Sequence, residues 1–494
     1  MKSDLLTVLG RFTAKDNRNF ELFLGNEYLC PNKTCIQFFR ELLRYHPLYS
    51  IEQKQKEIIF ANIYGNKDYN DSTFRSLVRS LMISLEDFLL IENIKNNKRG
   101  REVSLTKIYH DLKIYDVTVK KLDEFRASLE NQKYGDLSTH YLYMYDYEIL
   151  SYNLFDSKNK ILHEAEAENT FTLINNANNY LTLYYFIEVV SNYVNYRIQQ
   201  QMFNKHTESL DVMLTSSDLK RLDVMYRYTE HEYAYLLYKY LFLLFSDKPG
   251  KSNFIQYKSL LLENAAKLSP KELLHHNNTL ITYCIINKSR IPELADELWK
   301  LYGFYLKKEL YLADSSHYLD SYMFRSIIFL GLKLGYYSDV KDVIEKFSYK
   351  LNPEDITNLK DLGYSYFFYY TGDFRKAKEH AGKVKLNDYA HKYDMKNLLV
   401  KIHYEEGAFE QLNSILKCYK EFLRNDKLLN DEIKQSFKHF IFYTEHLAKE
   451  IDSGNKQELS YLLDKLNKTQ NVYSKDWLAK MYKSVCLQEQ YANR

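Results

Sequence analysis

The chain has 494 residues, 27% of them charged and 16% aromatic, with 68 lysines and arginines against 65 aspartates and glutamates. A net charge of +3 gives no whole-chain attraction to nucleic acid or to an anionic membrane, and the length allows about three domains or one extended array. Five cysteines, an odd and sparse number, argue against a disulfide framework and for a reducing compartment.

Six prolines and 14 glycines are few for this length, so the pattern predicts long helices joined by short turns, an all-α fold. The opening, MKSDLLTVLGRFTAKDNRNF, has no apolar core of signal-peptide type. No run reaches the ~20 apolar residues that cross a bilayer, because Glu188 interrupts Leu181–Val190 and Lys239 interrupts Tyr233–Phe245. The expectation is a cytoplasmic protein with free thiols.

Residues 1–95 read as an N-terminal helical cap. Phe20, Phe23 and Leu24, then Ile36, Phe39, Leu42 and Leu43, recur at spacings of three and four, with Cys30-Pro31-Asn32 breaking between them and Pro47 ending the second helix. A third helix covers 53–64. The cleanest stripe is Asp71–Ile91: Phe74, Leu77, Val78, Leu81, Leu85, Phe88 and Leu89 share a face, and Asp71 or Ser72 is the N-cap. As a DNA-reading helix it would offer only Arg75 and Arg79, too few for base readout. Lys95–Arg101 reads as a solvated basic turn. Cys30 and Cys35 stand as C-x4-C with no second pair nearby, so they read as two half-buried thiols instead of a zinc site.

Residues 96–247 follow as a degenerate array of tyrosine-rich helical hairpins, with helices over 105–115, 117–129, 137–155, 161–176, 180–200, 217–228 and 230–245. The cluster Lys248-Pro249-Gly250-Lys251-Ser252-Asn253 marks a hinge or a boundary. Residues 254–425 read as helical repeats, the first of them opened by Pro270 and Pro292, and 426–494 as C-terminal capping helices.

The most informative stretch is Tyr364–Leu386, YSYFFYYTGDFRKAKEHAGKVKL, with a related segment on either side. Gly335, Gly372 and Gly407 are 37 and 35 residues apart. Two places on stand Tyr337, Phe374 and Phe409; five places on, Val340, Ala377 and Leu412; nine places on, Ile344, Ala381 and Leu416. The glycine tolerates the backbone that ends one helix, the aromatic plugs the gap, and the next position lets the helices approach. This pattern resembles the tetratricopeptide repeat, whose period is ~34 residues. Gly372-Asp373-Phe374-x-x-Ala377 fits that family. The flanking copies put Val340 or Leu412 at the small position, and all three lack the tryptophan-containing start of the family pattern. The resemblance covers residues 321–425.

It implies an α-solenoid of stacked hairpins, with the first helices lining a groove. Carrying the family's groove positions across gives Tyr322, Arg325 and Lys333, then Tyr366, Tyr369 and Tyr370, then Asn397, Lys401 and Tyr404. Such residues would hold the carboxylates and backbone of an acidic or extended peptide. The segments Phe20–Leu24, His46-Pro47, Asp87–Leu90 and Leu398–Asn425 also resemble a group of long, uncharacterised helical bacterial proteins, which implies no activity.

No GxGxxG, GxxxxGK[ST], HExxH or GxSxG motif occurs. Glu164 and Glu168, within His163–Glu168, read as a solvated acidic face, and His275-His276 and Lys378–His380 lack partners at ligand spacing. The reading is therefore a non-catalytic scaffold for another protein or peptide, with no metal and no cofactor. The alternatives are a nucleic-acid-associated regulator with an N-terminal DNA-binding segment, or an enzyme whose site forms only in the fold.

Overall fold

The computed structural model describes residues 4–47, 49, 51–65, 67–130, 136–158, 164–203, 214–246, 251–313, 317–385, 389–426, 429, 431–453 and 456–492. These residues form 23 α-helices and two short 3-10 turns, with no strand among them. No helix among the described residues is long and apolar enough to cross a membrane. The chain divides into two compact units, Met1–Asn192 with Lys220–Tyr238, and Tyr193–Leu219 with Lys239–Arg494.

In the first unit, α1 (Asp4–Leu9), α2 (Ala14–Leu24), α3 (Thr34–Leu43), α4 (Gln53–Tyr64) and α5 (Asp71–Asn96) share one aromatic core. The Phe20 ring lies 4.9 Å from Phe39 and 5.2 Å from Phe88. Helix α2 starts with a reciprocal cap between Thr13 and Asp16. The cap of α5 is Asn70 and not Asp71 or Ser72: its side chain accepts from the Thr73 N–H at 2.9 Å, which leaves Asp71 in the first turn to pair with Arg75 at 2.6 Å. Cys30 and Cys35 are fully buried, not half-buried, because the α2–α3 loop folds against α5, where Cys30 Sγ meets Ser84 Oγ at 3.4 Å. Burial pushes the Cys35 thiol up to about 12.

Helices α6 (Lys98–Asp111), α7 (Tyr115–Glu130) and α8 (Leu137–Lys158) pack through Leu122, Phe125, Leu129, Leu150 and Leu154. The basic run Lys95–Arg101 is mostly exposed, as expected, but it is helical on both sides of Asn97. It ends α5 and starts α6, with Asn97 accepting from the Gly100 N–H at 3.0 Å and a buried Arg99 donating to the Ser128 carbonyl at 3.0 Å. Helix α9 (Glu164–Phe203) runs for 40 residues where the sequence predicts a break near Asn176. Residues 175–179 set four asparagines, poor helix formers, around Ala177 but include neither glycine nor proline. Packing wins: Ala177 and Tyr180 are buried, and the Asn179 carbonyl accepts from the Tyr226 hydroxyl of α10 (Ser216–Tyr226) at 2.7 Å. Helix α11 (Glu232–Ser246) follows. Residues 248–250 of the proline–glycine cluster lie outside the described residues, as do His163 and the side chains of residues 164–167.

The second unit holds α12 (Lys251–Glu263), α13 (Pro270–Asn287), α14 (Leu294–Lys307), α15 (Ser321–Leu334), α16 (Tyr337–Phe347), α17 (Ile356–Tyr370), α18 (Phe374–Lys383), α19 (Tyr389–Glu405), α20 (Phe409–Asn425), α21 (Asp431–Ser453), α22 (Lys456–Lys468) and α23 (Lys475–Ala492). Ser269 caps α13 with Pro270 in its first turn. His276 sits 2.5 Å from the Tyr257 hydroxyl and 3.2 Å from Glu272, all three buried.

The same turn recurs after α15, α17 and α19. Gly335, Gly372 and Gly407 have φ of 85°, 82° and 70°. In each, the glycine N–H bonds the carbonyl three residues back, and the next N–H reaches the carbonyl five back: Tyr336 to Gly331 at 2.9 Å, Asp373 to Phe368 at 2.9 Å and Ala408 to His403 at 2.9 Å. The following helices bury Val340, Ala377 and Leu412 completely, with Ile344, Ala381 and Leu416 one turn beyond. Helix α15 packs on α17, and α17 on α19. The aromatics are not sealed plugs. Phe374 and Phe409 are the first residues of their helices and stay half-buried, because the column behind them makes the close contact. Phe374→Ala should therefore cost about 1–2 kcal/mol, less than the ~3–5 of a fully buried ring. Gly372→Ala should cost about 1–2 kcal/mol because an L-residue is strained at that φ. Urea melts of both variants check these values, and an unchanged Gly372→Ala midpoint would contradict the turn assignment.

Candidate ligand cleft in the second unit

The predicted groove residues lie on α15, α17 and α19, and the fold sorts them into two groups. Arg325, Tyr366 and Asn397 have structural partners. The Arg325 guanidinium makes a two-point ion pair with the buried Asp394 at 2.5 Å and stacks 4.3 Å over the Phe329 ring. The Tyr366 hydroxyl donates to the Asp394 carbonyl at 2.8 Å. Asn397 is 1% exposed and accepts from the Tyr419 hydroxyl at 3.0 Å. Tyr404 is buried edge-on against Trp477, 5.4 Å away, and Tyr322 is 55% exposed on the first turn of α15, away from the cavities described next.

Lys333, Tyr369, Tyr370 and Lys401 converge. With Glu405 and the first turn of α23 they line a cavity of about 470 Å³. A second cavity of about 380 Å³ adjoins it, sharing Lys333, Tyr370, Lys401, Ser474 and Asp476 and adding Phe329, Tyr366 and Tyr473. The far wall comes from residues the sequence reading assigns to a capping layer: Tyr473, Ser474, Asp476 and Trp477. Their one signal is that Trp477 is one of two tryptophans in the chain.

Hydrogen bonds fix this wall. Glu405 Oε1 accepts both from the Tyr369 hydroxyl and from Trp477 Nε1, the latter at 2.8 Å. At the rim the exposed Lys333 pairs with the exposed Asp476 at 2.9 Å. Lys475 donates to the carbonyls of Asn467 and Thr469, both at 2.9 Å, and so ties the start of α23 to the end of α22. Burial raises the Tyr369 hydroxyl well above its usual range, with the Glu405 carboxylate adding to the effect.

Lys401 differs from these groups. Its side chain leaves α19 toward both cavities and is 8% exposed, yet it makes no hydrogen bond and no ion pair with any described residue. The ammonium rests against the rings of Tyr473 and Trp477, 5.6 and 5.8 Å from their centroids. Burial lowers it to about 8, with Glu405 one turn on opposing the shift and Lys333 adding to it.

Neither family models, curated proteins nor solved structures give a match to this chain.

Other clusters carry less. Tyr257, His276 and Glu272 are enclosed in the core of the unit. A cavity of about 560 Å³ has a basic lining, but Lys420 pairs there with Glu445 at 2.6 Å and Lys434 donates to the Asp426 carbonyl at 2.6 Å. Among the described residues no group of three or more His, Cys, Asp or Glu side chains could hold a metal ion. Arg75, one of the two arginines of a DNA-reading face, is paired within its own helix to Asp71.

Proposed function

We propose that this chain is a non-catalytic, helical-repeat interaction protein that grips an acidic or extended segment of another protein in the cleft between α15, α17, α19 and α23. The carrying observation is convergence: Lys333, Tyr369, Tyr370 and Lys401, placed on one groove by the spacing of three glycine turns, line one cavity. The repeated turn and the order of packing, α15 on α17 on α19, support a tetratricopeptide-like array in this region. The walls suit a peptide, since tyrosine and tryptophan supply rigid contact area while the rim lysines Lys333 and Lys480 steer negative charge. Five free cysteines support a reducing, cytoplasmic setting.

The test is affinity capture from a lysate of the source cell followed by mass spectrometry, with the native chain and a Lys333→Glu/Lys480→Glu double variant. Both lysines are exposed, so the variant keeps the fold. Proteins recovered by the native chain and lost by the variant are the expected result. Identical recovery by both chains, or capture of nucleic acid in place of protein, overturns the reading.

A further inference from the structure

We infer that the cavity between α17, α19 and α23 is a carboxylate-binding site, with the anion seated between the Lys401 ammonium and the first turn of α23. This inference rests on the interaction reading only for the source of the carboxylate, and its chemistry stands apart from it.

The first observation is an unanswered charge. Lys401 is more than nine-tenths buried, faces the cavity and has no hydrogen-bond or ion-pair partner among the described residues. A buried ammonium is normally paired, because desolvation is not otherwise repaid. No charged group among the described residues around it gives it a hydrogen bond, though Glu405, one turn on, acts on it through space. Glu405, on the same helix, is held by Tyr369 and Trp477, and Asp476 is held by Lys333. On α15, Arg325 is spent on Asp394. Lys475 is satisfied by backbone carbonyls, and Lys480 stands exposed at the mouth. Tyr337 of α16, Tyr366 and Tyr370 of α17, and Tyr473 complete the titratable groups that face the site.

The second observation is the helix end. Ser474, Lys475 and Asp476 line the cavity at the start of α23, an 18-residue helix. Within this turn the Leu478 N–H bonds the Ser474 carbonyl at 3.1 Å. The N–H groups of the first turn lack helical acceptors, and the helix dipole places positive potential there. An anion in the cavity meets this end and the Lys401 ammonium together.

The balance of charge selects the anion. The side chains that line the larger cavity carry three positive charges, Lys333, Lys401 and Lys480, against two negative, Glu405 and Asp476, so one negative charge neutralises the site. A phosphate dianion would leave a buried charge unanswered. The aromatic walls, Tyr370 and Trp477, suit an acid carried on an apolar body.

Proton linkage gives the inference its signature. Free Lys401 loses its proton near pH 8, and a bound carboxylate holds that proton on. Affinity is therefore full below pH 8 and falls by about tenfold per unit above it, until the lysine of the complex also titrates.

The experiment titrates the full chain with phenylacetate, succinate, inorganic phosphate, and two degenerate pentapeptide pools, one with a free C-terminal carboxylate and one amidated. Tryptophan fluorescence and thermal shift report binding from pH 6.5 to 9.5, for the native chain and for Lys401→Met. Expected are saturable binding of carboxylates, at least tenfold weaker binding of phosphate, the stated fall above pH 8, and loss of binding in a folded Lys401→Met. Binding by the free but not the amidated pool assigns a peptide C-terminus. Binding by both pools assigns an acidic side chain, and binding by the small acids alone assigns a small-molecule ligand. Equal binding by Lys401→Met, a preference for phosphate, or no carboxylate binding at all overturns the inference. The two readings fail separately. Partners lost by Lys333→Glu/Lys480→Glu but kept by Lys401→Met remove the carboxylate site and leave the interaction reading. Small acids bound through Lys401 with no captured protein do the reverse.

Discussion

Replacing Lys401 with methionine should stabilise the second unit at neutral pH while abolishing the proposed carboxylate binding. Burial lowers the folded ammonium from 10.5 to about 8. Between those values the unfolded chain holds the proton and the folded chain releases it. Below pH 8 the fold carries the whole cost of a charged, desolvated amine, and that cost fades as pH climbs from 8 to 10.5. Methionine keeps an unbranched apolar stem and removes the charge. The expected gain is about 2–3 kcal/mol at pH 7 and near zero at pH 10.5. Denaturant melts of both chains at pH 7 and pH 10 measure it. A Lys401→Met chain less stable than the native one at pH 7 would show that the ammonium has a structural partner and that the cleft was misread. A residue that costs stability in the free protein is expected at a binding site.

The opposite outcome is expected at Arg325. Its two-point bond to Asp394 is buried, and Asp394 also offers its carbonyl to Tyr366, so three helices meet at one carboxylate residue. Arg325→Glu sets two carboxylates face to face. It should cost about 3–5 kcal/mol, since breaking a buried pair strands the remaining charge. Lys333→Glu, at an exposed pair, should cost under about 1 kcal/mol. A charge swap, Arg325→Glu with Asp394→Arg, should recover part of the loss, and a double-mutant cycle reads the coupling. Equal stability of Arg325→Glu and the native chain would return Arg325 to the ligand-facing set. Binding tests on this cleft must therefore leave Arg325 intact.

What the sequence disclosed follows from the range of the forces involved. The glycine turns were legible because a left-handed residue, its two hydrogen bonds and the buried column behind it lie within about ten residues of one another. The helix face holding Lys333, Tyr369, Tyr370 and Lys401 was legible for the same reason, through its register from those glycines. Arg325, Tyr366 and Asn397 share that face, yet their partners, Asp394 and Tyr419, arrive from neighbouring helices, and periodicity carries no sign of such pairing. The unbroken α9 escaped because packing by Tyr226 and Ala177 outweighs the weak propensity of its asparagines. Trp477 and Tyr473 escaped because the wall they form is some seventy residues removed from the lysine they enclose.

That separation has a consequence for how the chain is made. Trp477 lies 72 positions after Glu405, the residue whose carboxylate it bonds. Until residues 473–477 have been synthesised, the rings of Tyr473 and Trp477 that cover the Lys401 ammonium are missing from the chain. Only when α23 emerges and Trp477 closes onto Glu405 does the amine become dry. The far wall of the cavity is thus made after the three helices it closes against, so the enclosure of the amine waits on the last part of its frame to be synthesised.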